Sequence, residues 1–451
     1  VAAAGDPAHS APALPGGPEP QVYAHHPPGL TQVIALVFVA VGPGADAARA
    51  VAALSALAAL LLLARLLWLE CGPEAAGYGA LAAAAQPMLS IYGAHVDVQG
   101  APVLALSLAT LLGYRRWLAG GSAMALLVPA AAASALDWYG LYVPVLCALH
   151  LLLTRPARRG AAIGLALFSL ALFAAWLAWL ASLPGQSLGE VLGSARVRVA
   201  GALEDSARAA AHLSAWWSDT NRLMPGWPAL LAAAAALAAG WLRAPAAGAM
   251  VRPVLGMRAL LALLLLPPVL HAAAFPAGTV LHDYWLFGLP PALAAAAALL
   301  ALRLRPVVAV LALGLLLLPG VVGAREVLAR RDDLPETVGR ALAAHTAPGD
   351  LVLTNFNCSP LVPGGAGDEH VDKVLEVLWA SDRSVRGLVG TAEGVGLDEA
   401  LRRLPAARWF LLTPWPPGPQ PGLAEALAGR AGEPPVRLSE SPAVDLFRLA
   451  R

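Results

Sequence analysis

Ten apolar runs, near residues 46–69, 78–94, 99–114, 121–137, 138–153, 161–182, 227–242, 259–275, 285–302 and 307–323, constrain this chain more than any other feature. A membrane-crossing helix needs about 20 mostly apolar residues, with a range near 17–25. Runs of that kind at short intervals predict an α-helical polytopic membrane protein of about ten spans. Composition agrees: 58% of the 451 residues are hydrophobic and 13% charged, and the mean hydropathy is +0.66, whereas soluble chains carry about 25% charged residues. The net charge of +1 is uninformative about nucleic acid, which is not among the expected partners. Lys373 is the lone lysine and Ala, Leu, Pro and Gly are abundant, the coding bias of a GC-rich genome.

The charges fall on alternate turns. Arg65, Arg115 and Arg116, then Arg155, Arg158 and Arg159, then Arg243, Arg252 and Arg258, and finally Arg303 and Arg305 occupy turns separated by others nearly free of Arg. Under the positive-inside rule the arginine turns are cytoplasmic. Residues 1–45, the 183–226 loop and the tail after Gly323 then face outward. The run from Leu30 to Gly42 is too short to span and reads as an interfacial helix. The organisation expected is an outer loop with interfacial helix over 1–45, a transmembrane bundle over 46–323 and an extracytoplasmic domain over 324–451. The chain begins with Val1 in a Pro/Gly/Ala-rich stretch, and an outer N-terminus leads to the expectation of a helix upstream.

The 183–226 loop is amphipathic, with Trp216 and Trp217 suited to the headgroup level; it reads as a surface connector or a substrate-covering lid. From about Asp332 the pattern is that of a small α/β domain. A helix is expected over Pro335–Thr346, strands over Leu351–Thr354, Val385–Val389, Trp409–Thr413 and Val444–Leu449, and a second helix over Leu397–Leu404. Asp368, Glu369, His370 and Asp372 lie in a Gly-rich loop as a solvated charge run, and Cys71, Cys147 and Cys358 have no metal or disulfide spacing.

Polar clusters gather at the ends opposite the arginine turns: Tyr23 to Gly29 with His25 and His26, His95-Val-Asp97, Asp137-Trp138 and His282-Asp283-Tyr284-Trp285. Ionisable groups at a membrane boundary are costly unless used. Pro27 and Pro28 hold the histidines out of a helix, where imidazole can bind an anion, ligate a metal or shuttle a proton. Asp97 can serve as a base or metal ligand, so a divalent metal ion is the one cofactor to be weighed. Asp137 is either a helix cap or a substrate contact. His282, Asp283 and Tyr284 offer phosphate-directed donors beside a carboxylate, or a cap with an aromatic belt. Arg49 stands on the outer side, against the charge trend.

The order of these motifs resembles the GT-C superfamily of polyprenyl-phosphate glycosyltransferases, which includes protein mannosyltransferases (glycosyltransferase family 39) and lipid A aminoarabinose transferases. Its first-loop pattern, Tyr-x-x-(His/Lys)-Pro-Pro, a juxtamembrane helix and Ala-Ala-Arg, is similar to Tyr23–Pro28, the 30–42 run and Ala47-Ala48-Arg49. His26 matches the basic position, Asp97 the acidic residue after an outward-going span, and His282 and Tyr284 a late His-x-Tyr. The family's Asp-Glu pair after the first helix, carrying the proposed base, has no counterpart: Asp6 and Glu19 sit in Pro/Gly contexts. The expectation is that the base lies upstream of Val1.

The resemblance implies a GT-C-like bundle in a bacterial inner membrane that moves a sugar from a polyprenyl-phosphate donor to a lipid, glycan or protein acceptor on the outer face. His26 and Asp97 would be catalytic. His25, Arg49, Asp137, His282, Asp283 and Tyr284 would contact substrate. The alternatives are a transporter or flippase for a lipid-linked substrate, and a non-catalytic membrane scaffold.

Overall fold

The structure is a computed structural model, and it describes residues 29–42, 44–93, 100–182, 189, 206–240, 253–276, 279, 286–329, 334–347, 350–355, 384–387, 397–403, 405–413, 422–440 and 443–450. The chain divides into two compact units at Arg330/Arg331. The first is helical, and most of its helices fall on the predicted apolar runs, with a further helix, Ser206–Leu223, inside the expected 183–226 loop.

Helix α1 (Gly29–Val41) ends at Gly42, whose φ of +89° suits a residue without a Cβ. Helix α2 (Ala45–Cys71) is closed by Gly72 at φ +102°, with its N–H returned to the carbonyls of Leu67 and Trp68. The run expected over 78–94 begins earlier and is broken: α3 (Pro73–Ala84) and α4 (Pro87–Tyr92) are separated at Gln86, because Pro87 cannot continue a helix in register. Then follow α5 (Ala101–Leu118), α6 (Met124–Leu136), a 3₁₀ turn (Trp138–Leu141), α7 (Tyr142–Thr154) and α8 (Arg159–Ser182). Next come α9 (Ser206–Leu223), α10 (Trp227–Ala239), α11 (Met257–Ala274), α12 (Pro290–Ala301) and α13 (Pro306–Ala329).

Helix α12 is the core strut. Its sequence, PPALAAAAALLA, is apolar on every side and almost wholly buried, as expected of a helix with no solvent face. Its alanines let α3 approach: a Cβ at Gly79 would strike Leu67 and lie 3.6 Å from Ala298 Cβ. Small residues at such contacts are how membrane helices gain packing energy without a hydrophobic driving force. The opposite character appears on α8 and α13, where Ile163, Leu167, Leu170, Val307, Leu311 and Leu315 are exposed, as lipid-facing residues must be. Among the described residues three helical stretches, Asp46–Cys71, Pro156–Ser182 and Met257–Ala274, are long and apolar enough to cross a membrane; counting the pair Trp216–Leu223 and Trp227–Ala239, bent by 75°, makes four. The apolar helices Gly29–Val41, Met124–Leu136, Trp138–Thr154 and Pro290–Ala301 are shorter. The chain is a helical integral membrane protein.

The second unit is a small α/β domain. Helices α14 (Leu334–His345), α15 (Leu397–Arg403) and α16 (Leu423–Arg430) accompany strands β1 (Leu351–Thr354), β2 (Ser384–Gly387), β3 (Ala407–Leu412), β4 (Val436–Glu440) and β5 (Ala443–Arg448). The sheet order is β2-β1-β3-β5-β4, with β1 parallel to β2 and β3, and β5 antiparallel to β3 and β4. Alternation sorts the strand residues. Leu351 and Leu353 join Leu397, Leu423 and Leu427 on one face, and Val352 joins Val338 and Leu342 on the other, so helices cover both faces. Strand β4 and helix α16 were not predicted from the sequence.

Candidate functional site

At one end of the bundle, the C-terminus of α6 is followed by Asp137, whose extended backbone (φ −157°) lets its carboxylate accept the Tyr139 N–H at 2.5 Å. The helix-cap reading of Asp137 is realised on a 3₁₀ turn. The turn is tight because Gly140 lies against the Ala133 backbone, where a Cβ would collide. It delivers Trp138, Tyr139 and Tyr142 around His271 in the last turn of α11, at ring separations of 5.6, 5.4 and 5.8 Å. Phe275 adds a ring 5.4 Å from His271 and 4.8 Å, edge-on, from Trp138. The Tyr139 hydroxyl sits against Gly288, ahead of α12, where any Cβ would strike it. Asp137 and His271 are both fully buried.

A buried carboxylate and a buried imidazole thus lie at the same end of the bundle, the imidazole inside a wall of aromatic rings. In such a low-dielectric setting, charge-charge and hydrogen-bond energies exceed their values in water. A group with that chemistry can hold a proton or orient a donor for an incoming anion.

Of the candidate catalytic and substrate-contacting residues, Arg49 and Asp137 are described. Arg49 lies in the first turns of α2 and is exposed. Helix α1 packs against both α2 and α6, and Gly29 at its start lies on the Ala135 backbone, two residues before Asp137. Helix α1 thus bridges the two elements that carry Arg49 and Asp137. His25, His26, Asp97, His282, Asp283 and Tyr284 lie outside the described residues, as do Cys358 and the 368–372 charge run. Among the described residues no three His, Cys, Asp or Glu side chains come together as a metal-holding group.

The arginine turns meet at the other end. Glu70 in the last turn of α2 is fully buried. Its carboxylate accepts Arg115 Nε–H at 2.6 Å and the backbone N–H groups of Val254, Leu255 and Gly256 at 2.9 to 3.2 Å. Arg155 donates to the Val254 carbonyl at 3.2 Å. The 253–256 segment that opens α11 is therefore bound to α2, α5 and the end of α7. Sequence reasoning missed this clamp. The available signal was one carboxylate closing an otherwise apolar run, but backbone N–H partners leave no mark in a sequence. His271 is not among the residues that the sequence singles out.

No protein-family pattern matches the sequence, and no curated protein does. Among solved structures, the crystal structure of ArnT from Cupriavidus metallidurans bound to undecaprenyl phosphate is similar over 99% of this chain and 91% of that one, with a TM-score of 0.56 and 12% identity. The apo-state ArnT structure is similar over 94% and 88%, with a TM-score of 0.43 and 14% identity. The first likeness is one of fold and runs nearly end to end. The chain has a GT-C-like helical bundle followed by a small α/β domain.

Proposed function

We propose that this protein is a membrane glycosyltransferase that transfers a sugar from a polyprenyl-phosphate donor to an acceptor on the outer face of a bacterial inner membrane. The observation that carries the reading is the near full-length fold likeness to an ArnT structure that holds undecaprenyl phosphate. The nest around Asp137 and His271, at the end away from the arginine turns, adds to it. A donor of this kind keeps its lipid tail in the bilayer while its phosphate meets the polar rim, so an active site built from helix ends suits the chemistry.

Displacement at the sugar needs a base for the acceptor and positive charge for the departing phosphate. In this reading His26, with His25 beside it, and Arg49 hold the donor phosphate. His26 is three residues upstream of Gly29, which rests on the Ala135–Leu136 backbone just before Asp137. His282, Asp283 and Tyr284, just before the Leu286–Gly288 segment, contact the phosphate or headgroup. Asp97 acts as auxiliary acid or metal ligand, and Asp137 orders the substrate-facing turn.

The test is transfer of radiolabelled sugar from polyprenyl phosphate in proteoliposomes holding the full chain and a mixed lipid, glycan and protein acceptor pool. Labelled product dependent on the protein supports the reading. Donor moved across the bilayer with its glycosyl bond intact would replace it with a flippase.

A further inference from the structure

At the arginine end, the turn from α5 to α6 and the entry to α8 enclose an open depression of about 440 Å³ lined by Trp117, Gly120, Gly121, Arg158, Gly160 and Ala161. It lies at the opposite end of α6 from the Asp137 nest. Its floor is glycine: a Cβ at Gly120 or at Gly160 would meet nothing within 4 Å. The turn itself demands glycine at position 120, where φ is +95°. Arg158 is half-buried and held over the Trp117 indole, its Cζ 5.9 Å from the ring centroid.

The charge around this depression is one-sided. Arg116 and Arg159 are exposed beside it, and the Arg116 stem rests on Gly121. The nearby carboxylate, Glu70, is already matched by Arg115 and three N–H groups. A planar guanidinium fixed by an aromatic face gives bidentate recognition of phosphate oxygens at low entropic cost. An indole at the same level is the side chain that prefers the lipid headgroup region.

We infer that this depression binds the phosphate of an anionic membrane phospholipid. Arg158 grips the phosphate, Arg116 and Arg159 add attraction, Trp117 lies along the glycerol backbone, and the acyl chains run down the apolar outer face of α8 past Ile163 and Leu167. Basic pockets between membrane helices take anionic headgroups on these grounds. The inference is independent of the proposed glycosyl transfer, and its test contains no turnover measurement.

The full chain is purified in mild detergent with phosphatidylglycerol or phosphatidylcholine, and retained lipid is counted by native mass spectrometry. Phosphatidylglycerol should be retained in preference. Arg158→Gln should reduce its retention about five-fold, the worth of one basic residue at an anionic surface. Gly160→Phe, whose Cβ meets nothing within 4 Å and whose ring projects from a position lining the depression, should reduce it similarly, while thermal unfolding measured without added lipid stays unchanged for both variants. Arg305→Gln removes an exposed charge from another turn at the same end and should leave retention intact. Equal losses in Arg305→Gln would mean a diffuse surface field and would overturn the site. So would wild-type retention in both depression variants, or equal retention of the zwitterionic lipid. Displacement of the lipid by millimolar inorganic phosphate would reassign the depression to a soluble anion.

Discussion

The Glu70 carboxylate accepts the Arg115 Nε–H at 2.6 Å with its own side chain fully buried and the arginine only 15% exposed. Three consecutive backbone N–H groups complete its shell. An ion pair so enclosed contributes little net stability as a pair, but losing one partner strands the other without water.

Glu70→Ala is therefore expected to cost about 3–5 kcal/mol, read as a lowered Tm in detergent. Glu70→Gln keeps an acceptor for the N–H groups and should cost about 1–3 kcal/mol. Equal melting of wild type and Glu70→Ala would show that the clamp carries no stability.

Gly288→Ala should destabilise by about 1–3 kcal/mol, because overpacking forces neighbours off their minima and the nearest one is the Tyr139 hydroxyl. Combined with Tyr139→Phe, part of that loss should return. The coupling is measured by a double-mutant cycle on thermal unfolding. Strictly additive losses would mean that the two groups do not meet.

His26→Ala should lower sugar transfer by about 100-fold, the scale of one charge-stabilising group lost at a reacting centre. Donor-dependent product formation in proteoliposomes is the readout. Activity within a few-fold of wild type would remove His26 from the donor site.

In the α/β domain, Asn355 donates to the Thr413 carbonyl and accepts the Thr413 N–H, both at 2.7 Å, tying the ends of β1 and β3. Asn355→Ala leaves a buried N–H and carbonyl unmatched, at about 1–3 kcal/mol. Amide exchange in the full chain should quicken across β1 and β3 and not in α12. Unchanged protection of both strands would refute the tie.

The helical framework was legible because apolar run length and glycine or proline breaks are local signals. Gly42, Gly72 and Pro87 mark ends that the structure observes. In the α/β domain β1, β3, β5 and α14 carried buried alternation or amphipathic spacing and were found. Strand β4 was missed because Val436-Arg-Leu-Ser-Glu440 is a short edge strand whose Val436 and Leu438 are only partly buried, and α16 because its apolar contact is confined to Leu423 and Leu427. At the site, Asp137 stood out as a carboxylate between two apolar runs. His271 did not, since its aromatic surroundings come from Trp138, Tyr139 and Tyr142, more than 120 residues earlier in the chain, and sequence spacing cannot bring them together.

Helix α11 reaches from the Glu70 clamp at Gly256 to His271 in its final turn. An α-helix advances 1.5 Å and turns about 100° per residue, so the clamp works as the zero mark of a ruler. Slipping the anchor by one residue would swing the imidazole about a quarter-turn, out of the rings that receive it. A carboxylate buried at one end of the bundle thus sets the aim of a histidine at the other.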